Sequence, residues 1–141
     1  KLFRKHKEYW RIKRHTLNMM NQYKKRRNQL MEKMGPDTVA ILFSSPKAHR
    51  NGDSEYAYRQ NSDLYYFSGF PEDDSVLVLS PGTATPVILF NQSPNHLALQ
   101  WTGPRVGQDD AITHFGVDAA FPIEHIDKKL PELLANKKII Y

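Results

Sequence analysis

The sequence predicts an α/β domain in which a mixed β-sheet is flanked by helices. Short apolar runs of β-type residues, bounded by Pro, Gly, Asn and Asp, begin at Thr38, and segments with helical periodicity lie before and after them. The 141 residues suit one domain, and a hydrophobic content of 40% supplies a core. Strands and helices mixed in this way are typical of an α/β or α+β layer architecture.

The first element is a predicted helix that ends at Met34. Its apolar stripe recurs at three- and four-residue steps and comprises Met20, Tyr23, Arg27, Leu30/Met31 and Met34. Gly35-Pro36 stops the helix, because glycine caps a C-terminus and proline cannot continue it. Residues 1–18 have a weaker helical pattern, so we treat them as a basic extension ahead of a domain that covers residues 19–141.

Four apolar runs predict the strands, and residues 139–141 are expected to begin another. The four runs are residues 38–43, 64–68, 75–79 and 86–90. Three of the four are almost continuously apolar, which indicates strands covered on both faces. Turn residues at 71–74 and 80–83 predict antiparallel hairpins between successive strands.

Helical patterns follow the strands at about residues 95–100, 109–115 and 127–134. The last of these contains Pro131, which is tolerable only within the first turn, where the missing N–H costs no hydrogen bond.

Charge is divided unevenly along the chain. Residues 1–34 carry twelve Lys and Arg against two acids, a local charge of +10, whereas residues 35–141 carry −5. The absence of cysteine excludes a disulfide framework, a thiolate nucleophile and a Cys-based zinc site. No apolar run approaches the roughly 18 residues of a membrane span, and no secretory signal is evident, so we expect a cytoplasmic protein without a membrane partner.

Two acidic segments are candidate chemical sites. In the long connection of residues 44–63, Asp53 and Glu55 could offer carboxylates to a hard cation, but adjacent arginines and Asn51-Gly52 favour a satisfied polar loop. Glu72, Asp73 and Asp74 could form a catalytic acid pair, whereas solvated acids are ordinary on such a turn. The scattered histidines, the lack of a Gly-x-Ser-x-Gly elbow and the lack of a phosphate loop give no further catalytic motif.

Two aromatic or basic segments suggest binding. Trp101, before Gly103-Pro104-Arg105, suits an exposed interface anchor or, almost equally, a core position. The cations of residues 24–27, interleaved with Tyr9, Trp10 and Tyr23, could contact nucleic acid or an anionic surface. The ordinary interpretation of such a run is a solvated helix face, which we favour over nucleic acid.

The remaining motifs carry a family resemblance. They are YRQNSD at 58–63, YFSGF at 66–70, Glu72, VLVL at 76–79, LFN at 89–91, Trp101 with Gly103, RVGQD at 105–109 and FGVD at 115–118, with YKKRRNQLMEKM at 23–34 upstream. Over residues 19–141 the sequence resembles the N-terminal domain of the bacterial-type Xaa-Pro aminopeptidases (aminopeptidase P) in the creatinase and prolidase superfamily.

The resemblance implies a ribonuclease H-like mixed sheet without that nuclease's acidic site. It implies that catalysis belongs to a separate C-terminal pita-bread domain, which binds manganese and cleaves the bond before a proline in the second position. The pita-bread domain is expected beyond Tyr141, so this chain alone should be inactive. Its expected partners are that catalytic domain, peptides with proline second and further copies of itself in a homo-oligomer.

Two site residues carry over from the family. Asp53 matches an aspartate that the family has on a loop at the active-site entrance. Trp101 matches a tryptophan that reaches the active site of a neighbouring subunit. The resemblance thus implies active-site access roles for both, no catalytic residue and no metal ligand in this chain. Two rival interpretations are a binding module built on the basic helix and a non-catalytic homologue that presents a peptide or chaperone surface.

Overall fold

A computed structural model describes the backbone of residues 2–51, 54–55, 57–95, 97 and 103–141, and side chains from residue 16 onward except at 49–51 and 54–55. The helices are α1 (Leu2–Met34), α2 (Ser62–Ser68), α3 (Gly107–Phe115) and α4 (Ile126–Leu134), with a 3-10 turn at Ile123–His125. The strands are β1 (Thr38–Phe43), β2 (His49–Asn51), β3 (Ser54–Glu55), β4 (Val76–Leu79), β5 (Val87–Asn91), β6 (Ala119–Pro122) and β7 (Ile139–Ile140).

The main sheet is mixed, as predicted. Its strand order is β6-β5-β4-β1-β7, and β2 and β3 form a separate two-stranded ladder in the long connection. The β1/β4 and β4/β5 pairs are antiparallel, whereas β1/β7 and β5/β6 are parallel. The β4/β5 hairpin closes through Ser80, whose N–H donates to Pro86 O at 2.8 Å, and this confirms the turn predicted at residues 80–83.

Both faces of the central strands are buried, which explains their continuous apolar runs. Leu77, Leu79 and Leu89 point to a cluster with partly buried residues of α1, α2 and α3, whereas Val78, Ile88 and Phe90 point to a cluster with residues of α4. The period of two along each strand therefore divides the core into two layers.

The buried stripe predicted on α1 is confirmed, and Arg27 is its central residue. Tyr23 and Arg27 are buried, with Arg27 only 1% exposed. Arg27 Nη1 donates to Phe67 O at 2.9 Å and Nη2 donates to Gly116 O at 3.0 Å, so one guanidinium joins α1 to the C-terminal ends of α2 and α3. Burial lowers the pKa of Arg27, and the negative charge of Asp118 opposes that shift.

The strand predicted at residues 64–68 is wrong, because that segment belongs to α2. The Asn61 side chain caps the helix by accepting from Asp63 N and Leu64 N, and Gly69 ends it in the left-handed conformation with its N–H on Tyr65 O. Leu64 and Ser68, one turn apart, face the core. Capping and this buried face override the β propensity of the aromatic residues.

Two further predictions need correction. The turn at residues 71–74 joins α2 to β4 and is not a hairpin between two strands. Pro131 is the sixth residue of α4, beyond the first turn, where its ring lies on the exposed side and its carbonyl accepts from Ala135 N at 3.0 Å.

The other helical predictions have different outcomes. The patterns at 109–115 and 127–134 are confirmed by α3 and α4. The helix predicted at residues 95–100 falls largely outside the described residues. Across the residues that are described, no helix combines the length and apolar character that a membrane crossing requires.

Gly69→Ala tests the junction of α1 and α2. An added Cβ would lie 2.5 Å from Tyr23 Cε2, and the φ of +70° already disfavours a side chain. We expect a left-handed strain of about 1–2 kcal/mol plus a steric loss of about 1–3 kcal/mol in the free energy of unfolding, measured by urea titration.

Gly35→Ala is the matched control, because its φ is +77° and nothing lies within 4 Å of the added Cβ. It should lose only the strain component. Equal losses in the two variants would show that the close approach to Tyr23 has no energetic importance.

Candidate functional site

The two predicted site residues lie on loops whose tips the structure does not describe. Asp53 falls between β2 and β3, and Trp101 falls between β5 and α3; both are outside the described residues, so their roles stay predictions. The bases of both loops are described, and they meet at one turn between α2 and β4.

Asp73, on that turn, pairs with a cation from each loop. Its Oδ1 accepts from Arg105 Nη1 at 2.7 Å, and its Oδ2 lies 3.2 Å from Lys47 Nζ. Lys47 precedes Asp53 in the first loop, and Arg105 follows Trp101 in the second. The Asp73 side chain is 7% exposed and that of Arg105 13%, so the Asp73–Arg105 pair is largely removed from water.

The pKa of Asp73 reflects this double pairing. Burial desolvates the carboxylate and by itself raises the pKa, but the hydrogen bonds and positive charges of Arg105 and Lys47 outweigh it. The net effect is a pKa below the usual range, so Asp73 is held as a charged anchor.

Glu72 holds the second loop through the backbone. Its Oε1 accepts from Val106 N at 2.8 Å, and its own carbonyl accepts from Ser75 Oγ at 2.9 Å. Burial raises the pKa of the Glu72 carboxyl, while the bond from Val106 and the charge of Arg105 act in the opposite direction. Glu72 and Asp73 are thus two anchors with pKa values shifted in opposite directions.

Gln60 closes the base of the first loop. Its Oε1 accepts from Ser45 N at 3.3 Å and lies 2.8 Å from the Tyr58 hydroxyl, and its Nε2 donates to Phe70 O at 3.2 Å and Glu72 O at 2.7 Å. One amide therefore joins the start and the end of the loop to the turn that carries Asp73.

The second loop is closed in a similar way where it leaves β5. Asn91 is fully buried, its Nδ2 donates to Gly107 O at 2.9 Å, and Gln108 Nε2 donates to Asn91 O at 3.1 Å. A Cβ on Gly107 would lie 2.7 Å from Pro94 Cγ, so the two ends of the loop are in direct contact.

This arrangement differs from both interpretations of the acidic turn. Glu72 and Asp73 are anchors of loops, and only Asp74 is exposed, where Gln92 Nε2 lies 3.3 Å from its Oδ2. In the described part of the chain, no three His, Asp or Glu side chains are placed to hold one metal ion. The chemistry that the geometry supports is the positioning of two loops.

The structure also divides the basic run of α1. Lys24 and Lys25 are exposed, whereas Arg26 is partly buried and Arg27 is buried. Tyr23 is buried as well, so its ring is not available to stack on a base. The side chains of Tyr9 and Trp10 lie outside the described set.

Sequence reasoning missed Lys47, Gln60 and the anchoring role of Arg105. From the sequence, Arg105 is predicted only as part of the interface segment around Trp101. Its partner Asp73 is 32 residues away, so the sequence did not reveal the pairing. Gln60 sits within YRQNSD, but its role depends on contacts with residues of three separate segments. Only the acids clustered on one turn gave a signal that cations would converge there.

Asp73→Asn should destabilise the chain at pH 7, because it leaves Arg105 without its buried counter-charge. We expect a loss of about 2–3 kcal/mol in the free energy of unfolding, measured by urea titration. The control Asp110→Asn removes an exposed carboxylate whose distance to His114 Nδ1 is 3.9 Å, and it should lose under about 0.5 kcal/mol.

The pH dependence of the same variants is a second measurement. The lowered pKa means that the contribution of Asp73 is present above the ordinary aspartate pKa of about 3.9 and is lost as the pH falls through the lower folded value. The gap between wild type and Asp73→Asn should therefore narrow in acid. A gap that stays constant down to about pH 2 would contradict the anchoring role.

Comparison with known proteins gives the family. Residues 23–141 match the family model described as "Aminopeptidase P, N-terminal domain". The chain is 42% identical to the Xaa-Pro aminopeptidase of Escherichia coli over 122 residues, which are 85% of this chain and 28% of that protein. It is 32% identical to human Xaa-Pro aminopeptidase 3 over 133 residues, covering 85% of this chain and 26% of that protein.

Solved structures agree. Pseudomonas aeruginosa aminopeptidase PepP matches with a TM-score of 0.85 and 42% identity, over 86% of this chain and 28% of that one. E. coli aminopeptidase P, solved with the inhibitor Pro-Leu, matches with a TM-score of 0.82 and 39% identity over the same shares. The chain thus spans under a third of the length of these relatives. By sequence and by fold, it belongs to the family of aminopeptidase P N-terminal domains.

Proposed function

We propose that this chain is the N-terminal, non-catalytic domain of a Xaa-Pro aminopeptidase, a longer protein that removes the residue preceding a proline from a peptide's N-terminus. The observation that carries the proposal is the 42% identity to the E. coli Xaa-Pro aminopeptidase across 85% of this chain. A cytoplasmic location is part of the same proposal and rests on the sequence alone.

The role that we assign to the domain is to hold two loops at the entrance of the active site. Asp73 is the support for this role, because it pairs with Lys47 of one loop and Arg105 of the other. Asp53, on the first loop, would pair with the substrate's ammonium group. Trp101, on the second, would pack on substrate side chains, reaching the site of a neighbouring subunit in a homo-oligomer.

The proposal assigns bond cleavage to a separate C-terminal domain that binds manganese. When bound, manganese supplies a nucleophilic hydroxide and a Lewis acid for the amide. Among the described residues of this chain, Glu72 and Asp73 are already engaged by Val106 N and Arg105, and no three His, Asp or Glu side chains are grouped to hold an ion. Its residues therefore restrict access and position loops.

A division of labour follows that can be measured. This 141-residue chain with added manganese should release no residue from a peptide with proline second, whereas the longer protein should release the first residue. Liquid chromatography of the products is the assay, with a peptide bearing alanine second as the specificity control. Proline-dependent release by the short chain would contradict the proposal.

Trp101→Ala in the longer protein tests the access role. We expect the KM for the Xaa-Pro peptide to rise about tenfold, because one aromatic contact with the substrate is lost. The manganese content should not change. Leu97→Ala is the matched control, since Leu97 lies in the same loop and is 90% exposed. An identical KM in Trp101→Ala, Leu97→Ala and wild type would contradict a contact between Trp101 and the substrate.

A further inference from the structure

A cavity beside α2 has a lining that the loop-anchoring role does not explain. Its volume is about 480 Å³, within the range of small-ligand sites, and its lining includes Arg26, Tyr58, Arg59, Gln60, Tyr65 and Tyr66. Two guanidinium groups and three phenol rings thus share one concave surface.

Arg26 is held in place by aromatic rings. Its guanidinium carbon lies 4.2 Å from the centroid of the Tyr66 ring and 5.3 Å from that of Tyr23, and its Nη1 donates to Tyr66 O at 3.1 Å. A guanidinium held over aromatic rings keeps its positive charge. Among the described side chains, no carboxylate pairs with it.

Arg59 is the one side chain of residues 58–61 without a structural hydrogen bond in the described part of the chain. Tyr58 and Gln60 bond to each other and to the loop base, and Asn61 caps α2. Arg59 is exposed, and no described carboxylate lies within ion-pair distance of it. Its five N–H donors therefore have no acceptor among the described residues.

The remaining lining provides a hydrogen-bonded floor and two partly exposed rings. Gln60 forms the floor of the cavity. It accepts from Ser45 N and donates to Phe70 O and Glu72 O, so its side chain is already positioned before a ligand binds. Tyr65 and Tyr66 are 45% and 51% exposed, which is a large apolar area left in water.

We propose that this cavity binds an oxyanion carried on an aromatic ring, either a carboxylate or a phosphate ester. A guanidinium matches the two oxygens of such a group, and the exposed parts of the Tyr65 and Tyr66 rings pack on the ring beside it. The inference rests on the lining alone and is independent of the proposed peptidase role.

Titration calorimetry on the 141-residue chain tests the site, with phenyl phosphate and benzoate as the two probes. We expect saturable binding of at least one probe. Its affinity should fall about tenfold in Arg59→Gln and in Arg26→Gln, because each substitution removes one charge-assisted contact. Lys24→Gln is the matched control: it removes a positive charge from an exposed position of α1 outside the lining and should leave affinity unchanged.

The two probes also identify the source of the oxyanion. Tighter binding of phenyl phosphate assigns phosphate esters, and tighter binding of benzoate assigns carboxylates. Inorganic phosphate and benzyl alcohol separate charge from ring, and each should bind at least about tenfold more weakly than the better probe.

Three results would overturn the inference: no saturation by either probe up to about 10 mM, the same loss of affinity in Lys24→Gln as in Arg59→Gln, or inorganic phosphate binding as tightly as the better probe. Circular dichroism confirms that each variant is folded, and Arg59→Gln, at an exposed position, keeps the test valid if Arg26→Gln is destabilised.

Discussion

The carboxylate of Asp73 is the contact on which the arrangement of both loops depends. It is largely buried, yet it stays charged because Arg105 and Lys47 approach it from different loops. Removing Asp73 would leave the largely buried Arg105 without its counter-charge, whereas Lys47, with a side chain 39% exposed, would remain solvated. The neighbouring Glu72 adds a bond to Val106 N, which places the second loop in a fixed register on the same turn.

The turn lies between two elements that are packed into the core. β4 follows the turn directly, and its four residues are buried between two apolar layers. α2 precedes the turn and is joined to α1 through Arg27, whose guanidinium reaches Phe67 O. A loop anchor placed between a fully buried strand and a capped helix is well supported, in keeping with the loop-positioning role that we propose.

Much of this fold could be predicted from local pattern. β1, β4, β5 and β7 follow from short apolar runs between turn residues, and the buried stripe of α1 follows from its period. α2 could not be predicted from its aromatic residues, although Asn61 and Gly69 are cap residues that mark its two ends. The site was less accessible to sequence, because Asp73 and Arg105 are 32 residues apart and only the folded sheet brings them together.

Hydrogen–deuterium exchange of wild type and Asp73→Asn tests most directly whether one carboxylate holds both loops. The account predicts faster amide exchange in residues 44–58 and in residues 93–106 together, with β4 and β5 unchanged, because the substitution removes the negative charge that Lys47 and Arg105 share. Faster exchange in one segment alone, or in neither, would contradict it.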